Sequence, residues 1–112
     1  MVRMPRIVAV SSVPSEADGP GVRRARLIDE GSGAGGMSLE RVSVEPGARG
    51  PEVVGGDGER FLYVIGGSGL AGELPLAAET MVWIEPGDRL ALSAGDDGLE
   101  VLVAGASAPA DR

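Results

Sequence analysis

Residues 59–69 read Glu59-Arg60-Phe61-Leu62-Tyr63-Val64-Ile65-Gly66-Gly67-Ser68-Gly69. The middle of this run holds the only Phe and the only Tyr of the chain together with Val and Ile. Aromatic and β-branched side chains fit a pleated, half-buried surface, so this is the strongest strand signal in the sequence. A carboxylate opens it, and Gly66 to Gly69 reads as a tight turn. Side chains alternate along a strand, which puts Glu59, Phe61, Tyr63 and Ile65 on one face.

Working outward, the same rhythm recurs. Arg6 to Val13 reads as a first strand, ended by Pro14, with Ser15 to Gly21 as a loop. Val22 to Asp29 is a second strand, and Glu30 to Gly36 a glycine-rich loop. Met37 to Glu45 is a third, in which Val42 and Val44 alternate with Arg41 and Ser43, before Pro46-Gly47 ends it. Pro51 to Val54 precedes the loop Gly55 to Gly58. Beyond Gly69, Leu70 to Leu74 is a short strand and Pro75 to Ala78 a turn, with room for one helical turn between Pro75 and Met81. Thr80 to Ile84, Arg89 to Ser93 and Leu99 to Val103 complete the set, with Ala94 to Gly98 as a loop. Eight or nine short strands at intervals of about ten residues predict an all-β sandwich or barrel. No linker or repeat divides residues 1–112, which read as one domain with a frayed tail from about residue 105.

Composition excludes several classes of chemistry. The chain of 112 residues has no His, Cys, Lys, Asn or Gln. A Ser-His-Asp or Cys-His arrangement is therefore impossible, as are a Schiff-base lysine and a zinc site built on Cys or His. The formal net charge of −7 opposes binding to a phosphate backbone or an anionic membrane, so neither nucleic acid nor membrane is expected as a partner. The one basic cluster, Arg23, Arg24 and Arg26, reads as a solvated strand face. No apolar run is long enough to span a bilayer and no signal-peptide core is visible, so the expected location is cytoplasmic.

From Pro46 to Leu90 the pattern resembles a small single-domain cupin, and at a coarser level the likeness extends from Ala25 to Ala104. The first motif of that family runs from a glycine through two histidines and a glutamate to a closing glycine. Here Gly47 begins it, Val53 and Gly55 occupy the two histidine positions, Glu59 occupies that of the glutamate, and Gly66 closes it. The second motif is weaker. Glu79-Thr80 replaces Gly-Asp, Pro86 is displaced by one residue, Gly87 matches, and Leu90 stands at the third histidine position. The resemblance implies an all-β, cupin-like double-stranded β-helix, a jelly-roll barrel. It also implies dimerisation, and the apolar strand Arg6 to Val13 is suited to pairing with a partner copy. With the three histidines replaced, one carboxylate is not a transition-metal site, so no metal and no cofactor is expected.

The expected function is a metal-free barrel that binds a small organic molecule in its mouth. The expected lining is Val53, Gly55, Glu59, Phe61, Tyr63, Trp83 and Leu90, with Arg41 facing inward as an anion clamp. The resemblance points Glu59 into the barrel, and alternation would carry Phe61, Tyr63 and Ile65 with it. Each residue also has a plainer role: Glu59 in an ion pair with Arg41, Arg49 or Arg89, Tyr63 in packing, Trp83 in a core or dimer interface, and Arg41 on an exposed strand face. Glu52, Asp57 and Glu59 as ligands of a hard cation is a weaker alternative. Two other readings stay open: a metal-independent isomerase, epimerase or cyclase using Glu59 and Tyr63, and a structural or interaction module with no pocket.

Overall fold

The computed structural model describes residues 13–28, 37–54 and 60–106. Its elements are β1 (Glu16–Ala17), β2 (Val22–Ile28), β3 (Met37–Val44), β4 (Arg49–Val54), β5 (Arg60–Ala71), β6 (Leu74–Ala77), β7 (Met81–Ile84) and β8 (Arg89–Ala106). The described residues contain no helix. The expected first strand at Arg6 lies outside them, apart from Val13.

Two long strands organise the molecule. The second half of β8 lies between β3 and the first half of β5, with Val42 opposite Val101 and Val64 opposite Val101. The first half of β8 lies between β4 and the second half of β5, with Val53 opposite Leu90 and Ala71 opposite Leu92. β2 and β1 extend the sheet beyond β3, while β7 and β6 pair with the two halves of β5. All of these pairings are antiparallel. β5 and β8 thus each serve both layers, and irregularities in register between Val64 and Gly69 let them bend from one to the other.

The expected turn at Gly66–Gly69 is therefore part of a strand. Its glycines serve close approach rather than chain reversal. A Cβ on Gly67 would stand 2.1 Å from the Gly98 carbonyl oxygen, and one on Gly69 would stand 2.1 Å from that of Ser93. The reversal comes later, at Gly72-Glu73, where Gly72 has φ +61°. Leu74 to Ala77 is strand, not the expected turn or helical start. The expected loop Ala94 to Gly98 is a wide bulge within β8. Gly95 to Gly98 are accommodated between the pairs Gly69–Ala94 and Gly67–Leu99. β8 also runs to Ala106, so Gly105, expected to fray, is paired with Arg60.

Alternation builds the core. Val42 and Val44 of β3, Leu62 and Val64 of β5, Ile84 of β7 and Leu99, Val101 and Val103 of β8 point to one side and pack with Val53, Ala71, Leu76 and Leu92 from the second layer. Leu62, Val64, Ile84 and Val101 are completely buried. Among the described residues there is no helix long and apolar enough to cross a membrane.

Candidate functional site

The inner face of β5 is set by Leu62 and Val64, so Phe61, Tyr63 and Ile65 lie on the outer face. This corrects the expectation that they line the barrel. The run Phe61–Ile65 is apolar on both faces, and its composition alone gives no reason to prefer one. Trp83 pairs with Phe61 across β5 and β7 and stacks on its ring, with centroids 6.3 Å apart. Trp83 is thus an outer-face residue and no wall of an interior pocket.

Arg41 also faces outward, between the buried Val42 and its neighbours. Its Nε donates to Glu100 Oε2 at 2.9 Å, and Nη2 donates to the same oxygen. The two residues are near neighbours across the β3–β8 ladder, in which Arg41 pairs with Leu102 and Ser43 with Glu100. An inward anion clamp at Arg41 is overturned by this arrangement. Val53 and Leu90 do come together, as a directly opposed pair of β4 and β8. Gly55 and Glu59 lie outside the described residues, as does Asp57.

A cavity of about 230 Å³ opens between the two layers beside Val53. Its lining is Val42, Val53, Val103 and Pro51 together with Arg24, Glu40, Glu52 and Arg60. Of the expected site residues, Val53 alone among the described ones contributes to it. β2 delivers Arg24 because Val22 and Arg24 fall on the inner side, opposite Val44 and Val42. β3 delivers Glu40 two residues before Val42, and β5 delivers Arg60 two residues before Leu62. The arginine cluster expected to form a solvated face is thus divided. Arg23 is exposed and bonds to Ser15, whereas Arg24 turns into the cavity.

Most charges in the cavity are locally matched. Arg24 Nη1 donates to Glu40 Oε1 at 2.7 Å, and its Nη2 donates to Asp18 Oδ2 at 2.8 Å. Burial opposes the Arg24 charge, but the hydrogen bond it donates to Asp18 and the nearby Glu40 charge outweigh it and hold the guanidinium above its ordinary pKa. Glu40 also lies 3.6 Å from Arg26, and Glu52 accepts from Arg89 at 3.2 Å. Among the described residues no carboxylate stands within ion-pair distance of Arg60.

The metal that the cupin resemblance would imply does not fit the residues present. Val53 and Leu90, at two of the histidine positions, offer no lone pair, and the chain has no His or Cys. Among the described residues no three Asp or Glu side chains gather to hold an ion.

No family model matches the chain, and no curated protein matches it by sequence. Solved structures do match it. The polyketide cyclase RemF from Streptomyces resistomycificus is 22% identical with a TM-score of 0.76, over 94% of this chain and 81% of that one. A predicted oxalate decarboxylase from Thermotoga maritima is 16% identical with a TM-score of 0.80, over 92% of this chain and 100% of the other. An RmlC-like cupin from Shewanella frigidimarina is 16% identical with a TM-score of 0.72, covering 99% and 98%. At these identities the likeness concerns the fold: the chain has the all-β jelly-roll fold of a small cupin.

Proposed function

We propose that this cupin-fold chain is a metal-free binding protein for a small organic molecule, held in the cavity between Val42, Val53 and Val103. The observation that carries the reading is the cavity itself. It sits beside Val53 and is lined by four charged side chains, Arg24, Glu40, Glu52 and Arg60, together with Val42, Pro51, Val53 and Val103. Pockets that combine apolar walls with a few fixed polar groups are the usual form of a small-molecule site. Its volume of about 230 Å³ equals roughly eight waters' worth of liquid, which suits a compact ligand.

Filling the cavity tests this. Val103→Phe should abolish the thermal stabilisation that ligand hits give the wild type, at a cost to the unliganded protein of about 1–3 kcal/mol for overpacking a core position. Hits that stabilise both proteins equally would place binding elsewhere. Purified protein should also contain no stoichiometric Fe, Mn, Ni or Zn. About one such ion per chain by elemental analysis, retained through gel filtration, would contradict the metal-free reading.

The chain also forms a homodimer in this proposal, and the outer face of β8, β5 and β7 supports it. Leu102, Tyr63 and Met81 form one cross-strand row and Ala104, Phe61 and Trp83 the next. Phe61, Ile65, Met81 and Trp83 are 42%, 38%, 62% and 56% exposed. Together they leave on the order of 400 Å² of apolar surface. That is close to the apolar share of a standard interface, about 800 Å² per partner and roughly 60% apolar. Arg41 and Glu100 place one charge of each sign on the same face, which is self-complementary under a two-fold axis. Light scattering should give twice the chain mass for the wild type and the monomer mass for Trp83→Arg. A wild type that stays monomeric at high concentration contradicts the dimer.

A further inference from the structure

We infer that the cavity takes an organic monoanion, its carboxylate on the Arg60 guanidinium and its apolar body against Val42, Val53 and Val103. The inference rests on the reading of the cavity as a binding site and adds the chemical class of its occupant.

Three of the four charged side chains that line the cavity are already engaged by others. Of the four charged side chains there, Arg24 is engaged by Asp18 and Glu40, and Glu40 also has Arg26 nearby. Glu52 is engaged by Arg89. Arg60 is the lining charge with no carboxylate within reach among the described residues, and it stands on the inner face of β5, two positions before the buried Leu62. An arginine fork matches a carboxylate with two parallel hydrogen bonds, and these gain strength where water is partly excluded.

The backbone opposite Arg60 positions it. Arg60 pairs with Gly105 of β8, and both lie on the inner face. A Cβ on Gly105 would sit 3.5 Å from Arg60 Cγ and 3.8 Å from Nε, and 3.2 Å from Ser38 Oγ. The arginine stem therefore runs across the surface that the missing side chain leaves clear.

Glu40 and Glu52 limit the charge of the ligand. Both line the same cavity, so a phosphate dianion or a dicarboxylate would bring surplus negative charge against them. A monocarboxylate satisfies Arg60 without that repulsion.

The test uses full-length protein with 13C-labelled valine methyls, titrated with hexanoate and benzoate and with their neutral counterparts hexan-1-ol and benzyl alcohol. Inorganic phosphate is a further arm. The acids should shift the Val42, Val53 and Val103 methyls. Arg60→Met should weaken the acids by about ten- to a hundredfold, the usual worth of a charged hydrogen-bonded contact, and leave the alcohols unchanged. Arg60→Lys, which keeps the charge and loses the fork, should fall between, and it serves as the test if the methionine variant does not fold. Alcohols that bind as well as acids, with no effect at Arg60, overturn the anion inference and leave the binding-site reading standing. Phosphate binding at least as tightly as the acids overturns the monocarboxylate. No shift of these methyls with any probe overturns both.

Discussion

Gly69→Ala is expected to lower the melting temperature by more than about 10 °C, the equivalent of roughly 3 kcal/mol in a domain of this size. The added Cβ would stand 2.1 Å from the Ser93 carbonyl oxygen and 3.1 Å from its carbon. Both are backbone atoms, so no side-chain rotation relieves the contact. β8 has to move away from β5 at the point where both strands bend between the layers. Gly67→Ala should cost at least as much, because the same 2.1 Å contact with Gly98 is joined by a φ of +76°, where a Cβ is itself strained. Gly66 is the internal control. It is in the same run, has no positive φ, and a Cβ there meets nothing within 4 Å. Gly66→Ala should be neutral or stabilise by up to about 1 kcal/mol, through the lost freedom of the unfolded chain. Thermal melts of the three variants decide the matter. A Gly69→Ala protein that melts within a degree or two of wild type contradicts the β5–β8 packing described here.

Leu62→Ala should be nearly as damaging, at about 3 kcal/mol, while Leu70→Ala should cost about 1 kcal/mol or less. The chemistry removed is identical and both residues are on β5. Leu62 is fully buried among the core side chains, whereas Leu70 is 43% exposed. A cavity left at Leu62 has no room to collapse between two packed layers, while water already covers part of Leu70. Equilibrium denaturation gives both values. A smaller loss at Leu62 than at Leu70 would mean that the inner and outer faces of β5 are exchanged.

That assignment of faces marks where the sequence is readable and where it is not. Strand positions follow from the alternation of Val42 and Val44 with polar neighbours and from the Pro-Gly breaks at Pro46-Gly47 and Pro86-Gly87. The all-β cupin fold follows from their spacing and from the Glu59–Gly69 resemblance. Phe61 to Ile65 offers hydrophobic side chains to both faces, so local pattern cannot orient it. The tie breaks only when Leu62 and Val64 are seen opposite Val103 and Val101 of β8. The glycines at 66–69 have two physical uses, reversal and close approach, and the sequence shows the composition without the strand that approaches. The same limit hid the cavity residues. Arg24 and Arg60 are ordinary surface residue types, and each enters the cavity only because it lies two positions from a buried Val22 or Leu62. A reading that followed Leu62 and Val64 back along the strand would have reached Arg60. Glu59 lies outside the described residues.

Crystallographic fragment screening tests the central claim most directly, because it asks whether the barrel mouth is a binding site at all. The account predicts density for small organic acids bounded by Val42, Val53 and Val103, with a carboxylate on Arg60 and no metal between ligand and protein. A mouth closed by its own side chains, or fragments that bind repeatedly elsewhere and never there, would contradict it.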